Sequence, residues 1–187
     1  MDDHEVIANV LEGDREAYAL LVERYKDMAY TIAVRMLGDR ADAEEIVQEA
    51  FIKAYSKLGL FRQESAFSTW FFRIVYNGAV SMVRSRKKMV SRDEPALQGM
   101  VDGEPDYFVS EERDFRKRAV LWAISRLNPE EKAIVTLFYH EEKTLKEIGI
   151  IVGMNEDTVK MRLHRARKKM KKLLENKFQG EFMNESL

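Results

Sequence analysis

Apolar residues recur every three or four positions along most of this chain, and such spacing predicts amphipathic helices rather than strands. Three of these stripes fill the first half, with Asp14 as a predicted cap for the first, a break at 38–42, and Ser65 before the third. The stripes are Ala17, Leu20, Leu21 and Tyr25; Ala43, Ile46, Val47, Ala50, Phe51, Ala54, Tyr55 and Leu58; and Phe67, Trp70, Phe71, Ile74, Val75, Gly78 and Met82. Three such helices can bury a common core, so we predict an all-α fold for this block.

The composition changes after residue 92. The stretch 93–106 holds two of the three prolines of the chain, two glycines and five acidic residues. This pattern indicates a flexible acidic linker, which we place at residues 93–112. We therefore expect two small helical domains, at residues 1–92 and 113–187.

The second block opens with two predicted helices. Ser110 is a candidate cap for a helix that carries Val120, Leu121 and Ile124. The run 128–131, Asn-Pro-Glu-Glu, offers a cap, a proline at the first helical position and acids in the first turn.

A helix, a tight turn and a strongly basic helix follow. Thr144 and Glu147 have capping-box spacing, and the apolar face after them holds Leu145, Ile148, Gly149 and Val152. Gly153 permits the turn, and Asn155 caps the next helix. The pattern is that of a helix-turn-helix, whose second helix enters the DNA major groove.

The second helix of this unit has two faces. Its apolar stripe holds Val159, Leu163, Ala166, Met170 and Leu173, and its other face holds Lys160, Met161, His164, Arg165, Lys168 and Lys172. Eight Lys/Arg and no acid lie between residues 160 and 172. A solvated surface helix is one interpretation. The capped helix and glycine turn directly upstream favour binding to DNA phosphates instead.

The net charge of −1 conceals an asymmetry. Residues 1–60 hold thirteen Asp/Glu and seven Lys/Arg, a net of −6, while basic residues concentrate at 84–88 and 160–172. A chain of this kind can bind nucleic acid with one part and a protein with another.

Several classes of function are disfavoured. The chain has no cysteine and no metal-ligand spacing, so we expect no metal and no cofactor. It carries no Gly-rich phosphate loop and no hydrolase or zinc-protease motif, so we expect no enzyme. The start lacks a secretory signal and no apolar run approaches the roughly 20 residues that span a bilayer, so we expect a cytoplasmic protein without membrane insertion.

Two pairs of segments resemble one known family. Residues 42–55 and 67–77 are similar to region 2 of bacterial sigma factors of the extracytoplasmic-function (ECF) group, and residues 127–135 and 162–167 are similar to region 4. The resemblance extends over roughly residues 7–90 and 113–174. It implies a subunit that binds core RNA polymerase and directs promoter-specific transcription initiation by recognising −10 and −35 elements.

The resemblance implies a polymerase-docking ridge on the second predicted helix. Glu45, Gln48 and Glu49 match the positions that contact the β′ coiled coil in this family, with Ile52 as an apolar neighbour. Alternatively, Glu49 serves only as an ion-pair partner of Lys53 at the i+4 position.

The third predicted helix is expected to read and melt the −10 element. Phe61 and Asn77 match the pocket that receives a flipped base, and an amide can hydrogen-bond such a base. The other implied DNA contacts are Arg73, Arg84, Arg86, Lys87 and Lys88.

We expect Trp70 in the core, and the sequence leaves open whether Phe72 and Tyr76 contact DNA. Ser81 departs from the family pattern, in which many members carry an acid, and leaves the −10 base preference open.

The resemblance also implies that the recognition helix reads the −35 element. The implied contacts are Lys160, Met161, His164, Arg165 and Lys168. Arg or Lys can bond guanine, and Met161 can meet a thymine methyl. His164 donates to a base or phosphate or is an inert surface group. Implied protein partners are the β′ and β subunits and an anti-sigma factor.

Two other functions remain open at the level of sequence. A helix-turn-helix regulator that acts without polymerase docking would bind duplex DNA as a dimer. A sigma-like protein-interaction module would drive no promoter-dependent transcription.

Overall fold

The fold comes from a computed structural model, which describes residues 1–90 and 111–178, and the side chains of 1–88 and 115–178. The described elements are α1 (Asp3–Leu11), α2 (Tyr18–Leu37), α3 (Arg40–Ser56), a 3₁₀ turn (Leu58–Leu60), α4 (Phe67–Val90), α5 (Glu111–Ser125), α6 (Pro129–Tyr139), α7 (Leu145–Val152) and α8 (Glu156–Lys177). The predicted all-α class is confirmed. The predicted linker lies almost entirely outside the described residues, as does Ser110 with its predicted capping role.

In the first block, α2, α3 and α4 pack around an aromatic core. The Phe51 and Phe71 rings lie 4.4 Å apart between centroids, and Phe67 stacks on Phe71 at 5.9 Å. Most residues of the predicted α3 stripe are buried. Tyr55 is an exception at 39% exposure, because its ring lies at the surface against Tyr18, 5.0 Å away.

The start of this block differs from the sequence prediction. Helix α1 was not predicted; Asp2 caps it, and its Val6, Ile7 and Val10 are buried. Asp14 accepts hydrogen bonds from the amides of Glu16 and Ala17, so it caps the turn that leads into α2 rather than α2 itself.

The second block consists of α5 to α8. Asn128 and Glu131 form a reciprocal capping box and Pro129 takes the first position of α6, as predicted. Residues 133–137 are all buried, so α6 is covered on every side. Helices α7 and α8 cover one part of it and α2 of the first block covers another.

The two blocks therefore contact each other directly, α2 against α6 and α4 against α7. Among the described helices, none is long and apolar enough to cross a membrane.

Candidate nucleic-acid interface

Specific residues start and end the first helix of the helix-turn-helix, α7. Thr144 Oγ1 accepts a hydrogen bond from the Glu147 amide at 3.2 Å, and the Glu147 carboxylate accepts one from the Thr144 amide at 2.9 Å. Gly153 ends α7 in the left-handed conformation, at φ 70°. These observations confirm the predicted caps and turn.

Gly149 lets the turn come close to α7. A Cβ at this position would lie only 2.6 Å from the Met154 carbonyl oxygen, which is a backbone atom. Glycine is therefore required here for close backbone approach, which places the start of α8 against α7.

Helix α8 has the two faces that its sequence predicts. Asn155 accepts a hydrogen bond from the Thr158 amide at 2.8 Å, and the stripe starting at Val159 packs inward. The candidate −35 residues all lie together on the exposed face: Lys160, Met161, His164, Arg165 and Lys168. Met161 is 56% exposed, so its side chain is accessible to a partner that contacts this face.

Acidic residues at the start of α6 form ion pairs with basic residues on the flank of α8. Glu130 forms an ion pair with Arg162, and Glu131 lies 3.5 Å from Lys169. The basic run is therefore partly neutralised within the chain, on the side away from the candidate reading face. The sequence analysis identified Glu130 and Glu131 only as acids that favour the start of α6. It did not predict their ion pairs with α8.

The candidate −10 residues extend along α4 and the loop before it. Arg73, Asn77, Arg84, Lys87 and Lys88 are exposed. Arg73 and Lys88 lie about 20 Å apart along the helix at 1.5 Å per residue. The arrangement is thus a long basic ridge rather than a compact site.

Two members of the −10 set have partners inside the chain. Arg86 forms an ion pair with Asp42, near the start of α3. Phe61 is half-buried, with its ring 5.3 Å from Trp70 and 5.8 Å from Phe67. Trp70 is half-buried in this aromatic cluster, in keeping with its expected core role.

Phe72 and Tyr76 are buried, at 0% and 5% exposure, so neither is open to DNA in this arrangement. Burial, with a smaller contribution from the charge of Glu130, raises the pKa of Tyr76.

The candidate docking ridge on α3 points away from the core. Glu45, Gln48 and Glu49 are exposed, and Ile52 beside them is 69% exposed. Glu49 and Lys53 are 3.0 Å apart, so the i+4 ion pair is present. An exposed pair of this kind contributes little to stability, and it leaves Glu45 and Gln48 available to a partner.

Family models match both blocks. The model described as Sigma-70 region 2 matches residues 21–89, and that described as Sigma-70, region 4 matches residues 123–172. The matches include the α3 ridge, the described part of the α4 ridge and the helix-turn-helix.

Sequence similarity to known proteins extends over nearly the whole chain. The ECF RNA polymerase sigma factor SigW of Bacillus subtilis (strain 168) is 35% identical over 90% of this chain and 94% of its own. The RNA polymerase sigma-H factor of Pseudomonas aeruginosa is 30% identical over 92% of this chain and 94% of its own.

Solved structures share the fold. The sigma factor RpoE of Bartonella quintana, in complex with the anti-sigma factor NepR, aligns with a TM-score of 0.73 over 84% of this chain and 96% of its own, at 22% identity. CnrH, in complex with the cytosolic domain of CnrY, aligns with a TM-score of 0.68 over 94% of this chain and 98% of its own, at 20% identity.

Proposed function

Since the chain belongs to the ECF group of RNA polymerase sigma factors, which direct promoter-specific transcription initiation, we propose how its own residues divide that work. The α3 ridge of Glu45, Gln48 and Glu49 binds the β′ coiled coil. The α4 ridge binds and opens the −10 element, and α8 reads the −35 element.

The observation that carries this proposal is the exposed face of α8. A capped, correctly turned helix presents five side chains able to contact bases or phosphates, while its opposite stripe is packed into the domain. Arg165 and Lys160 suit guanine, Met161 suits a thymine methyl, and His164 and Lys168 suit a base edge or phosphate. This is the arrangement that major-groove reading needs.

The proposed −10 function uses the α4 ridge differently. The Asn77 amide is exposed and can hydrogen-bond the edge of a flipped base, with Phe61 at the entrance to that site and Arg73 one turn before. Arg84, Lys87 and Lys88 hold phosphates without reading sequence, whereas Arg86 is already paired with Asp42. Ser81 Oγ donates to the Asn77 carbonyl oxygen at 2.8 Å, so this serine is occupied with the helix backbone.

In this scheme, the free energy of binding to the promoter drives opening of the −10 element. Flipping a base costs a few kcal/mol, which a pocket that rewards one base can offset. The chain itself makes and breaks no covalent bond in this scheme, and it needs no metal or cofactor. The second block contacts the β subunit, and an anti-sigma factor sequesters the free chain. Its place of action is the cytoplasm, where bacterial RNA polymerase works.

The proposal is tested by run-off transcription with bacterial core polymerase on a genomic fragment library from the source organism. Specific starts that share two upstream sequence elements are expected only when the protein is present. Core binding without new starts would favour the interaction-module alternative. DNA binding as a dimer without core binding would favour the helix-turn-helix regulator.

A further inference from the structure

An apolar groove of about 750 Å³ lies where α5, α6 and α8 meet α2. Most of its lining is apolar: Val120, Ile124, Val135, Met170, Leu174 and Phe178. Arg35, Arg167 and Lys171 also line it. We propose that this groove binds a free long-chain carboxylate, with the alkyl chain on the apolar lining and the carboxylate on Arg35 and Arg167. None of these residues belongs to the promoter contacts or the docking ridge described above, so the inference goes beyond the proposed function.

The size and lining of the groove are those of a small-molecule site. Such sites commonly enclose about 300–1,000 Å³, have mostly apolar walls and carry a few polar groups that fix the orientation of the ligand. The apolar wall is partly open to solvent here, since Val120 of α5 is 43% exposed. A bound alkyl chain would remove this apolar surface from water, which favours binding.

Arg35 is a half-buried cation that lacks an anionic hydrogen-bond partner within the described residues. Its guanidinium donates to Thr136 Oγ1 at 3.2 Å, although a guanidinium carries five N–H donors. Burial lowers the pKa of Arg35, and the negative charge of Glu141 offsets that effect only in part. A charge removed from water is costly unless it is paired, so a bound carboxylate would stabilise this group.

A second cation lies at the same end of the groove. Arg167 is exposed and forms no ion pair or hydrogen bond within the ranges 1–90 and 111–178. It lines a neighbouring cleft with Phe138, while Arg35 bonds Thr136, so both cations lie beside the C-terminal half of α6. Arginine suits a carboxylate because two parallel N–H groups can donate to its two oxygens.

The apolar lining extends away from this cationic end. On α8, Met170, Leu174 and Phe178 follow Arg167 at helical spacing, and Phe178 lies about 16 Å beyond Arg167 at 1.5 Å per residue. An extended chain advances about 1.2 Å per bond, so this length suits an alkyl chain of about twelve to fourteen carbons.

The charges of the groove select an anion among amphiphiles. Three cations and one acid, Glu175, line it, which gives a net charge of +2. Lys171 already has Glu175 at 3.7 Å, so the two arginines are the groups left for a ligand. An inorganic anion would leave the apolar lining exposed, and a neutral alkane would leave Arg35 without an anion. A single-chain carboxylate meets both requirements.

Dodecanoate is the probe, titrated into the full chain below its micelle-forming concentration. Methyl NMR follows Met170 and Ile124, which both line the groove. Saturable binding of one dodecanoate per chain is expected to shift these two resonances. From octanoate to dodecanoate, the affinity should rise about fourfold per added methylene, because each buried methylene adds a constant increment of transfer free energy. Dodecyltrimethylammonium has the same alkyl chain and the opposite charge, and it should bind at least about tenfold more weakly.

Two substitutions test the carboxylate contact. Arg167→Met removes a charge without breaking a contact inside the described part of the chain, and it should weaken dodecanoate binding about fivefold. Arg35→Met should weaken it about tenfold or more, because this cation is partly desolvated. The matched control is Lys172→Met, an exposed cation of α8 outside the groove, which should leave the affinity unchanged. If Arg35→Met disturbs folding through Thr136, the Arg167 variant alone decides.

Four results would overturn the proposal. Binding that does not saturate, or equal binding of the alkyl cation, would show adsorption of a surfactant only. Unchanged dodecanoate affinity in the folded arginine variants would exclude the carboxylate contact. Shifts of the same resonances with protein concentration alone would assign the groove to a second copy of the chain. Dodecanoate binding only after removal of residues 179–187 would assign it to that segment. A chain that is inactive with core polymerase would still give each of these results, so failure of the proposed function is distinguishable.

Discussion

Glu130, in the first turn of α6, forms an ion pair with Arg162, on the flank of α8. This pair couples the helix that is buried between the blocks to the helix that carries the −35 reading face. Both side chains are a little over one third exposed, so the pair is only partly shielded from water.

We predict a measurable coupling between these two residues. In a double-mutant cycle with Glu130→Ala and Arg162→Ala, the coupling in the free energy of unfolding should be about 0.5–1 kcal/mol, since solvent screening limits a pair that is partly exposed. Chemical denaturation of the four proteins measures it. The control cycle uses Lys171 and Glu175, which lie 3.7 Å apart and are more exposed. Equal or larger coupling in the control would contradict the holding role of Glu130.

Gly149 provides the second prediction. Gly149→Ala places a methyl group on the Met154 carbonyl oxygen, so α7 or the turn must shift, and we expect a loss of about 1–3 kcal/mol in the free energy of unfolding. Binding to −35 duplex DNA should weaken as well. The matched control is Gly59→Ala, where the nearest atom is Leu11 Cδ2 at 3.9 Å, and stability should be unchanged or slightly raised. Similar effects at both glycines would refute the steric argument.

Local chemistry made much of the helix-turn-helix predictable from sequence. Thr144, Glu147, Gly153 and Asn155 act within three or four residues of their partners, so spacing alone identified their roles. The apolar stripes were predictable for the same reason, since a helix turns by a fixed angle per residue.

Contacts between distant parts of the chain were not predictable in this way. Arg86 looked like a free phosphate ligand because its partner Asp42 is 44 positions earlier. The sequence left open whether Phe72 and Tyr76 are buried or contact DNA, because α4 is buried on two sides. Periodicity indicates only that both residues flank the main apolar stripe. The second side becomes visible only once α7 is placed against it.

The assignment of α8 to the −35 element predicts different effects for two substitutions on this helix. Arg165→Ala should cost about 1–3 kcal/mol of −35 affinity and relax the preference at one base pair, because a base contact is lost. Lys172→Ala, further along the exposed face, should weaken binding to all sequences alike and reduce the salt slope by about one. Binding titrations on −35 variants at several salt concentrations separate the two. Unchanged initiation by the Arg165 variant from a −35-dependent promoter would refute its role.

The docking ridge on α3 is tested by removing two of its polar side chains. The combined substitutions Glu45→Ala and Gln48→Ala should weaken binding to core polymerase by about five- to thirtyfold, because both are exposed and make no contribution to the core. Circular dichroism should show an unchanged helix content. The control, Glu23→Ala, removes an exposed acid from α2, outside the docking ridge. Wild-type affinity in the double variant would exclude docking through this ridge.

The Glu147 carboxyl makes the stability of the helix-turn-helix depend on pH. Burial alone would raise its pKa, but hydrogen bonds from Thr144 and the positive charge of Lys143 together lower the pKa below its ordinary value of 4.5. The unfolded chain therefore binds the proton more readily than the folded chain. The stabilisation is complete above about pH 4.5 and decreases as the pH falls through the lower pKa of the folded state.

We accordingly expect Glu147→Gln to destabilise the protein most at neutral pH. The difference in free energy of unfolding between the unsubstituted protein and this variant should shrink as the pH is lowered from 7 to below 4. Denaturant titrations across that range measure it, with Glu44→Gln as a control for the loss of one exposed negative charge. A difference that stays constant with pH would show that the carboxylate charge of Glu147 does not support the capping box. In that case its contacts to Thr144 and Thr69 would stabilise the fold by shape and neutral hydrogen bonding alone.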